Sequence, residues 1–505
     1  MNHLKLNKYF IVLAIVTVTA GLLHGILQQL NYVAASTTFT VNSFIDAVDA
    51  NPGDGVCATA TNQCTLRAAI QESNALSGLD TINLPAGIYT LTLAGIDEDS
   101  SATGDLDLLD DVIINGTAVE TTLIDGNALD RVFHNINATA TLNNITVRNG
   151  DLTNSMAVDG GGGLFNEAGS LTLNDCRVVG NLVWKFDGFA RGGGIYNTGT
   201  LLLTNTLVQD NEALGGDIGS GSGGGIYNEN VAELNNSVIN KNVSGAAGLL
   251  WSGDAGAIYN GASGTLTVTN STIDSNETDG GNGGGILNGG GNVVVSGSTL
   301  SNNYIELLGL ATGYGGGAIF NDNNGSVELV NSTVSHNRGG SSGGGALNAS
   351  GIMTLTHVTV YSNTSYFGGG TWNTATLTIE NSILAANISW DGGSPDCFGP
   401  LNSVGNNLLT TTDGCSLTGD LGGNIVGADP LLGPLQNNGG STFTHAIPAE
   451  SPATDSAASQ GCPAIDQRGF SRPVDGDGDE TAVCDIGAYE YLPLNNHAWL
   501  PLIFR

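Results

Sequence analysis

Alternating carboxylates near the C-terminus have the residue types and spacing that suit metal chemistry. Asp475-Gly-Asp477-Gly-Asp479-Glu480 can converge oxygen ligands on a hard cation such as Ca²⁺. The run departs from an EF-hand loop, since its sixth position is Glu480 rather than Gly and its twelfth is Ile486 rather than Glu. Calcium at Asp475, Asp477, Asp479 and Glu480 is the expectation, with a solvated acidic loop as the alternative. A second run, Asp97-Glu98-Asp99 with Asp105, Asp107, Asp110 and Asp111, must be neutralised by cations or spread outward along strands. Glycoside hydrolysis needs two carboxylates flanking one bond, and the candidates Asp175, Asp210 and Asp274 fall in different columns of the repeat described below. His336 and His357 also sit in unlike positions, which favours surface or turn roles over a metal site. Hydroxyls are abundant but have no evident base partner, so no catalytic residue is assigned.

These residues must be positioned by a repeat. Blocks GGGLFN (161), GGGIYN (192), GGGIYN (223), AGAIYN (255), GGGILN (283), GGGAIFN (315), GGGALN (343) and GGGTWN (368) end on asparagines 166, 197, 228, 260, 288, 321, 348 and 373. A ligand loop would not recur eight times, so the glycines are scaffold. Each block precedes an apolar alternation and an eight-residue phrase such as TNTLVQDN or VNSTVSHN, whose fifth position is always aliphatic and whose last is always asparagine. Period-2 alternation with β-branched residues implies strands. Three short strands cannot bury one apolar face alone but can do so when stacked coil on coil, which predicts an all-β, right-handed parallel β-helix. A β-propeller is the structural alternative.

Stacking has side-chain consequences. Asparagines in one column, spaced about 4.8 Å apart, can form hydrogen-bonded ladders, and Asn also tolerates left-handed turns. Long Gly/Ser/Asp loops such as GGDIGSGS (215) are expected to project from one side. Cys176 replaces a small hydroxyl residue in its column, which implies a buried, inert thiol. The fifth block position carries Phe165, Tyr196, Tyr227, Tyr259, Leu287, Phe320, Leu347 and Trp372. Alternation turns that column outward, and Tyr196, Tyr227, Tyr259, Phe320 and Trp372 form a candidate ridge for stacking on sugar rings. Covering loops, or an inverted phase, would remove it.

The chain has 505 residues, 76 of them glycine, and a formal charge of −34 from 13 Lys+Arg and 47 Asp+Glu. Such a surface repels nucleic acid and anionic lipid, leaving cations, neutral sugars and surface proteins as partners. Lys5 and Lys8, an apolar run from Phe10 to Leu23, and Val33-Ala34-Ala35 describe a cleavable export signal over residues 1–35, with an uncleaved anchor as the alternative. No membrane span is expected in the mature chain. Six of the seven cysteines pair locally by expectation, as Cys57 with Cys64, Cys397 with Cys415 and Cys462 with Cys484, though spacing alone does not fix this connectivity.

The ends differ from the repeat. Thr65 is a candidate N-cap for a helix with Leu66, Ala69, Ile70 and Ser73 on one face, covering the open end of the coils. Residues 39–75, FTVNSFIDAVDANPGDGVCATATNQCTLRAAIQESNA, with Cys64-Thr65-Leu66-Arg67-Ala68-Ala69 at the core, resemble the CSLREA domain of bacterial surface proteins. Thr65 and Ala68 stand where that motif has Ser and Glu. INLPAGIYTLTL (82), GDLDL (104) and LDRVF (129) resemble the first coils of those proteins. GADPLLGPLQNNGGSTFTHAIPAESPATDS (427), CPAIDQRG (462) and CDIGAYE (484) resemble the choice-of-anchor Q family. The division expected is a cap over 36–78, coils over 79–390, a C-terminal region over 391–491 and a tail over 492–505 that serves attachment or frays.

The resemblance implies a pectin-lyase-like solenoid, secreted or displayed on a bacterial cell surface, with no defined reaction. Adhesion to glycans or other surface ligands is therefore expected, and the alternative is a polysaccharide lyase or glycoside hydrolase on the same scaffold. Lyases that resemble pectate lyase would need a cationic base beside carboxylates holding Ca²⁺, but Arg148, Arg177, Lys185, Arg191, Lys241 and Arg338 are sparse, and adjacent equivalents on one face are not evident, although Lys185 and Arg191 share one loop.

Overall fold

A computed structural model describes residues 36–96, 98–153, 160–246, 253–306, 315–393, 395–458 and 460–493. Residues 1–35, where an export signal is expected, Asp97 and most of the tail lie outside the described residues. Among those described, no helix is long and apolar enough to cross a membrane.

The chain is a parallel β-helix. One coil shows its construction: strand Ile195–Asn197, strand Thr200–Thr204 and strand Leu207–Gln209 lie on three successive faces. Each pairs in parallel with its equivalent in the next coil, Ile195 with Ile226, Leu201 with Ala232 and Val208 with Ile239. The third face continues through thirteen strands, from Gly87–Thr90 to Ile425–Val426. Ile195, Leu201, Leu203 and Val208 all face inward and are fully buried. Burial of each such side chain contributes about 1.5–3 kcal/mol, so the core is summed coil by coil.

The glycine blocks are scaffold, as expected. Gly192 has φ +59°, and a Cβ on Gly194 would sit 2.7 Å from the carbonyl oxygen of Gly225 in the next coil. Coils this close at the corner leave no room for a side chain.

Two asparagine ladders run through the middle and C-terminal coils. In the first, Nδ2 of Asn166, Asn197, Asn228, Asn260, Asn288, Asn321 and Asn348 each donates to Oδ1 of the next member, at 2.7–2.9 Å. The second runs from Asn181 through Asn211, Asn242, Asn276, Asn303, Asn337, Asn363 and Asn387 to a terminal acceptor, Asp396. Left-handed backbone falls elsewhere, at the second and seventh phrase positions, as in Asn205 and Asp210. Ladder and turn are thus separate jobs for neighbouring residues. Replacing Asn228 by Ala removes two ladder bonds and strands buried partners in both adjacent coils. We expect a loss of about 2–4 kcal/mol in denaturant unfolding, against under about 0.5 kcal/mol for the exposed Asn230→Ala.

The Gly/Ser/Asp loops stack on one another. They leave the coil but do not hang free: Leu182–Arg191, Glu212–Ser222, Val243–Ala246, Glu277–Asp279 and Tyr304–Glu306 pair into a five-stranded parallel sheet of their own. Only the tip bearing Phe186 and Phe189 is exposed in the first of them.

The N-terminal end is closed by a helix, and the C-terminal segment returns along the coils. A helix, Leu66–Ala75, caps the first coils, and the Thr65 hydroxyl accepts from the Ala68 N–H as an N-cap should. The pairs Cys57–Cys64, Cys397–Cys415 and Cys462–Cys484 are all bridged. Cys176 is free and buried, donates to the Leu142 carbonyl, and burial pushes its thiol up to about 12. Beyond Ile425–Val426 the chain turns back as a strap along the third face. Gln467 bridges Thr299 and Thr333, Thr299 Oγ1 donates to the Phe443 carbonyl, and the Ala488 N–H donates to Thr359.

Candidate functional site

The outward column begins earlier and ends later than the glycine blocks suggest. Strand register places Asp107, His134, Phe165, Tyr196, Tyr227, Tyr259, Leu287, Phe320, Leu347, Trp372 and Phe398 in one file. Coil spacing equals ring-stacking distance, so the rings stack on each other. His134 lies 4.8 Å from Phe165, Phe165 4.8 Å from Tyr196, and Tyr227 4.5 Å from Tyr259, all nearly parallel. Arg131 lies over Phe165 and Arg191 over Tyr227, each extending the stack sideways.

The column faces outward as alternation requires, but its accessibility is a correction. Tyr196 and Tyr227 are 9 % exposed and Phe320 is 5 % exposed, while Tyr259 is partly buried against Leu287 and Phe320. Tyr196 stacks on Phe165 and meets Tyr227 edge-on, Tyr227 stacks on Tyr259 and carries Arg191, and Phe320 packs with Leu287 and Leu347. A sugar cannot stack along Tyr196, Tyr227 and Tyr259 without displacing that packing.

At the C-terminal end the cover thins. The inserted segments shrink to the two-residue strands Thr364–Ser365 and Ile388–Ser389. Tyr366, Phe367, Trp390 and Phe398 are exposed there, with Trp372 half-buried beneath them. Phe367 is 4.7 Å from Tyr366 and 6.0 Å from Phe398, which stacks parallel to Trp372 at 6.1 Å. The Arg338 guanidinium sits 5.4 Å from the Trp390 ring, and the Asp391 N–H donates to the Tyr366 carbonyl, tying the two loops together. Of the five ridge residues read from sequence, Trp372 alone belongs to this open platform.

The C-terminal acidic loop is partly rearranged. Carboxylates of Asp455, Asp475 and Asp477 come within 4.8 Å of one another, so Asp455 joins from a distant segment. Asp479 and Glu480 stand outside that group; the Asp479 carboxylate accepts from Thr481 N–H, and the Glu480 N–H donates to Asp475. Asp455 also accepts from the Gly476 and Asp477 N–H groups, an arrangement that shapes the turn.

His336 and His357 do occupy turns, with φ of 59° and 51°. His357 is nevertheless fully buried, against the surface role expected: Arg472 of the strap donates to its Nδ1. The Ser335 hydroxyl lies 2.7 Å from His336 Nδ1 and 2.8 Å from His445 Nε2, while His445 Nδ1 bonds the Gly433 carbonyl at 2.7 Å. A serine therefore does have a histidine partner, which sequence reading missed. Ser335 is fully buried under the strap, beside rather than within a 470 Å³ cleft lined by His336, Tyr361 and His445, so the pair clamps the strap. Among the basic residues, Arg148 pairs with Asp125 and Arg177 with Glu120.

No family model matches the chain, and no curated protein matches it. Among solved structures, the crystal structure of pectate lyase Pel9A is similar over 91 % of this chain and 98 % of its own, at 13 % identity and a TM-score of 0.41. A likeness at that level concerns the path of the backbone and carries no chemistry.

Proposed function

We propose that the chain is a secreted or cell-surface β-helix that binds ligands without transforming them, and that the C-terminal aromatic platform holds neutral glycans. The platform carries this reading: Tyr366, Phe367, Trp390 and Phe398 leave ring faces open to water on adjacent short loops, beside the polar groups of Arg338 and Asp391. Contiguous exposed rings of this kind mark binding surfaces, and sugar faces are their apolar complement. A net charge of −34 favours neutral over acidic polysaccharide. The resemblance of residues 39–75 to CSLREA domains and of 427–490 to choice-of-anchor Q proteins supports export and display, as do the three disulfides.

Retention on immobilised neutral polysaccharides tests this. Trp390→Ala with Phe398→Ala is expected to weaken retention at least about tenfold, two stacking contacts at roughly 1 kcal/mol each. Tyr227→Leu, which copies the leucines native to that column, should leave it unchanged. Release of new reducing or unsaturated ends, with no stoichiometric retention, would instead establish a lyase or hydrolase.

A further inference from the structure

The opposite end of the same column carries a different chemistry. Asp107 and His134 are its first two members, and Asp99 reaches them from the loop that precedes Asp107. His134 Nδ1 lies 3.6 Å from Asp107 Oδ1 and 3.7 Å from Asp99 Oδ1, too long for hydrogen bonds. Asp107 is fully buried, and its Oδ1 has no hydrogen-bond partner. Its other oxygen accepts from the Ser101 N–H at 2.6 Å, which fixes the carboxylate with Oδ1 turned toward the imidazole. A buried carboxylate oxygen left this way costs about 1–3 kcal/mol unless something fills the gap.

We infer that Asp99, Asp107 and His134 form a site for a divalent ion of the zinc type. Three donors around an ion at about 2.0–2.1 Å in tetrahedral geometry stand about 3.3–3.4 Å apart; the two separations from His134 Nδ1 need to close by only a few tenths of an ångström, and the two carboxylates already lie within 4.8 Å of each other. The imidazole is already oriented. His134 Nε2 is 3.1 Å from Glu167 Oε2, so the proton belongs on Nε2 and Nδ1 is left as the donor, the carboxylate–histidine arrangement that supports metal-bound imidazoles. Neighbouring charges do not satisfy the site from within. Arg131 is paired to Asp105, and the Glu98 carboxylate is held by Ser100 and Thr103. Asp99 is largely exposed, so the fourth position opens to solvent. One nitrogen and two oxygens favour Zn²⁺ or Co²⁺ over Ca²⁺, whose sites are all oxygen.

Co²⁺ titration of the chelator-treated, dialysed protein tests the site, with visible d–d absorption as the signal. One equivalent should bind, Zn²⁺ should displace it and Ca²⁺ should not. His134→Gln and Asp107→Asn should abolish the absorption, and Asp475→Asn should retain it. Glu167→Gln alters a half-exposed side chain and keeps the fold, so it guards against loss through unfolding; it should weaken Co²⁺ affinity about 10–100-fold. Absence of the absorption in the native protein, its survival in His134→Gln, or unchanged affinity in Glu167→Gln overturns the inference.

Discussion

Lowering the pH from about 6.5 to about 4 is expected to release the C-terminal strap before the coils unfold. His445 and His357 join that strap to the third face. Burial holds the His445 imidazole down at about 4, and burial together with the adjacent Arg472 holds His357 down at about 3. Both are therefore neutral in the fold, while the unfolded segment takes up protons near 6.5. Their contribution is complete above that value and is lost as pH falls, by about 3 kcal/mol each at pH 4. Protonated His445 could no longer accept the Ser335 hydroxyl, and protonated His357 would face the Arg472 guanidinium in a buried site. The buried Asp485 and Glu490 carboxyls are raised by burial, with Glu490 adding repulsion on Asp485, and they stabilise in the opposite direction, more at low pH than at high. A paired comparison isolates the histidines. Hydrogen exchange of residues 427–491 should accelerate steeply between pH 6.5 and 4 in the native protein and much less in His357→Gln/His445→Gln. Parallel profiles in the two proteins would rule out the histidines as the trigger.

That strap also shows where sequence reading stops. Repeat, strand phase and ladder asparagines were legible because each residue's decisive neighbour lies one coil away, at a period visible in the chain itself. Trp372 and Tyr227 have the same outward phase, yet one lies in an open platform and the other is covered; the difference comes from loop length, which alternation does not encode. His134 was passed over because its block, Val-Phe-His-Asn, lacks the glycines that mark the others. Its place follows only from pairing with Phe165. Ser335 meets His445 across 110 residues, and Gln467 meets Thr299 across 168. Such contacts depend on the return path of the chain, for which no short-range pattern exists. The acidic loop was half legible for the same reason: Asp475 and Asp477 are neighbours in sequence, whereas Asp455 arrives from another segment.

Arg67→Met is expected to destabilise the N-terminal cap by about 3–5 kcal/mol, the cost of leaving a buried ion pair half-broken. In the sequence this arginine looks like a polar residue of a capping helix. In the structure its side chain is fully buried, with Nε 2.6 Å from Asp46 Oδ1. Nη2 also reaches Asp46 Oδ2, and the other N–H groups donate to the carbonyls of Ser101, Thr103, Gly104 and Asp105. Asp46 in turn accepts from the Thr92 and Leu93 N–H groups, so one guanidinium fastens helix, first coil and acidic loop together. Lysine cannot replace it, because a single ammonium lacks the planar fork that reaches four carbonyls and a carboxylate at once. Arg67→Lys should therefore recover less than half of the loss in denaturant unfolding. Asp46→Asn with Arg67→Met removes both charges and should be less harmful than Arg67→Met alone. The same loop carries Asp99 and leads into the strand of Asp107, so Arg67→Met should weaken Co²⁺ binding under conditions where the coils stay folded. An Arg67→Met protein with native stability and undiminished Co²⁺ affinity would show that the loop is held by its own backbone bonds instead.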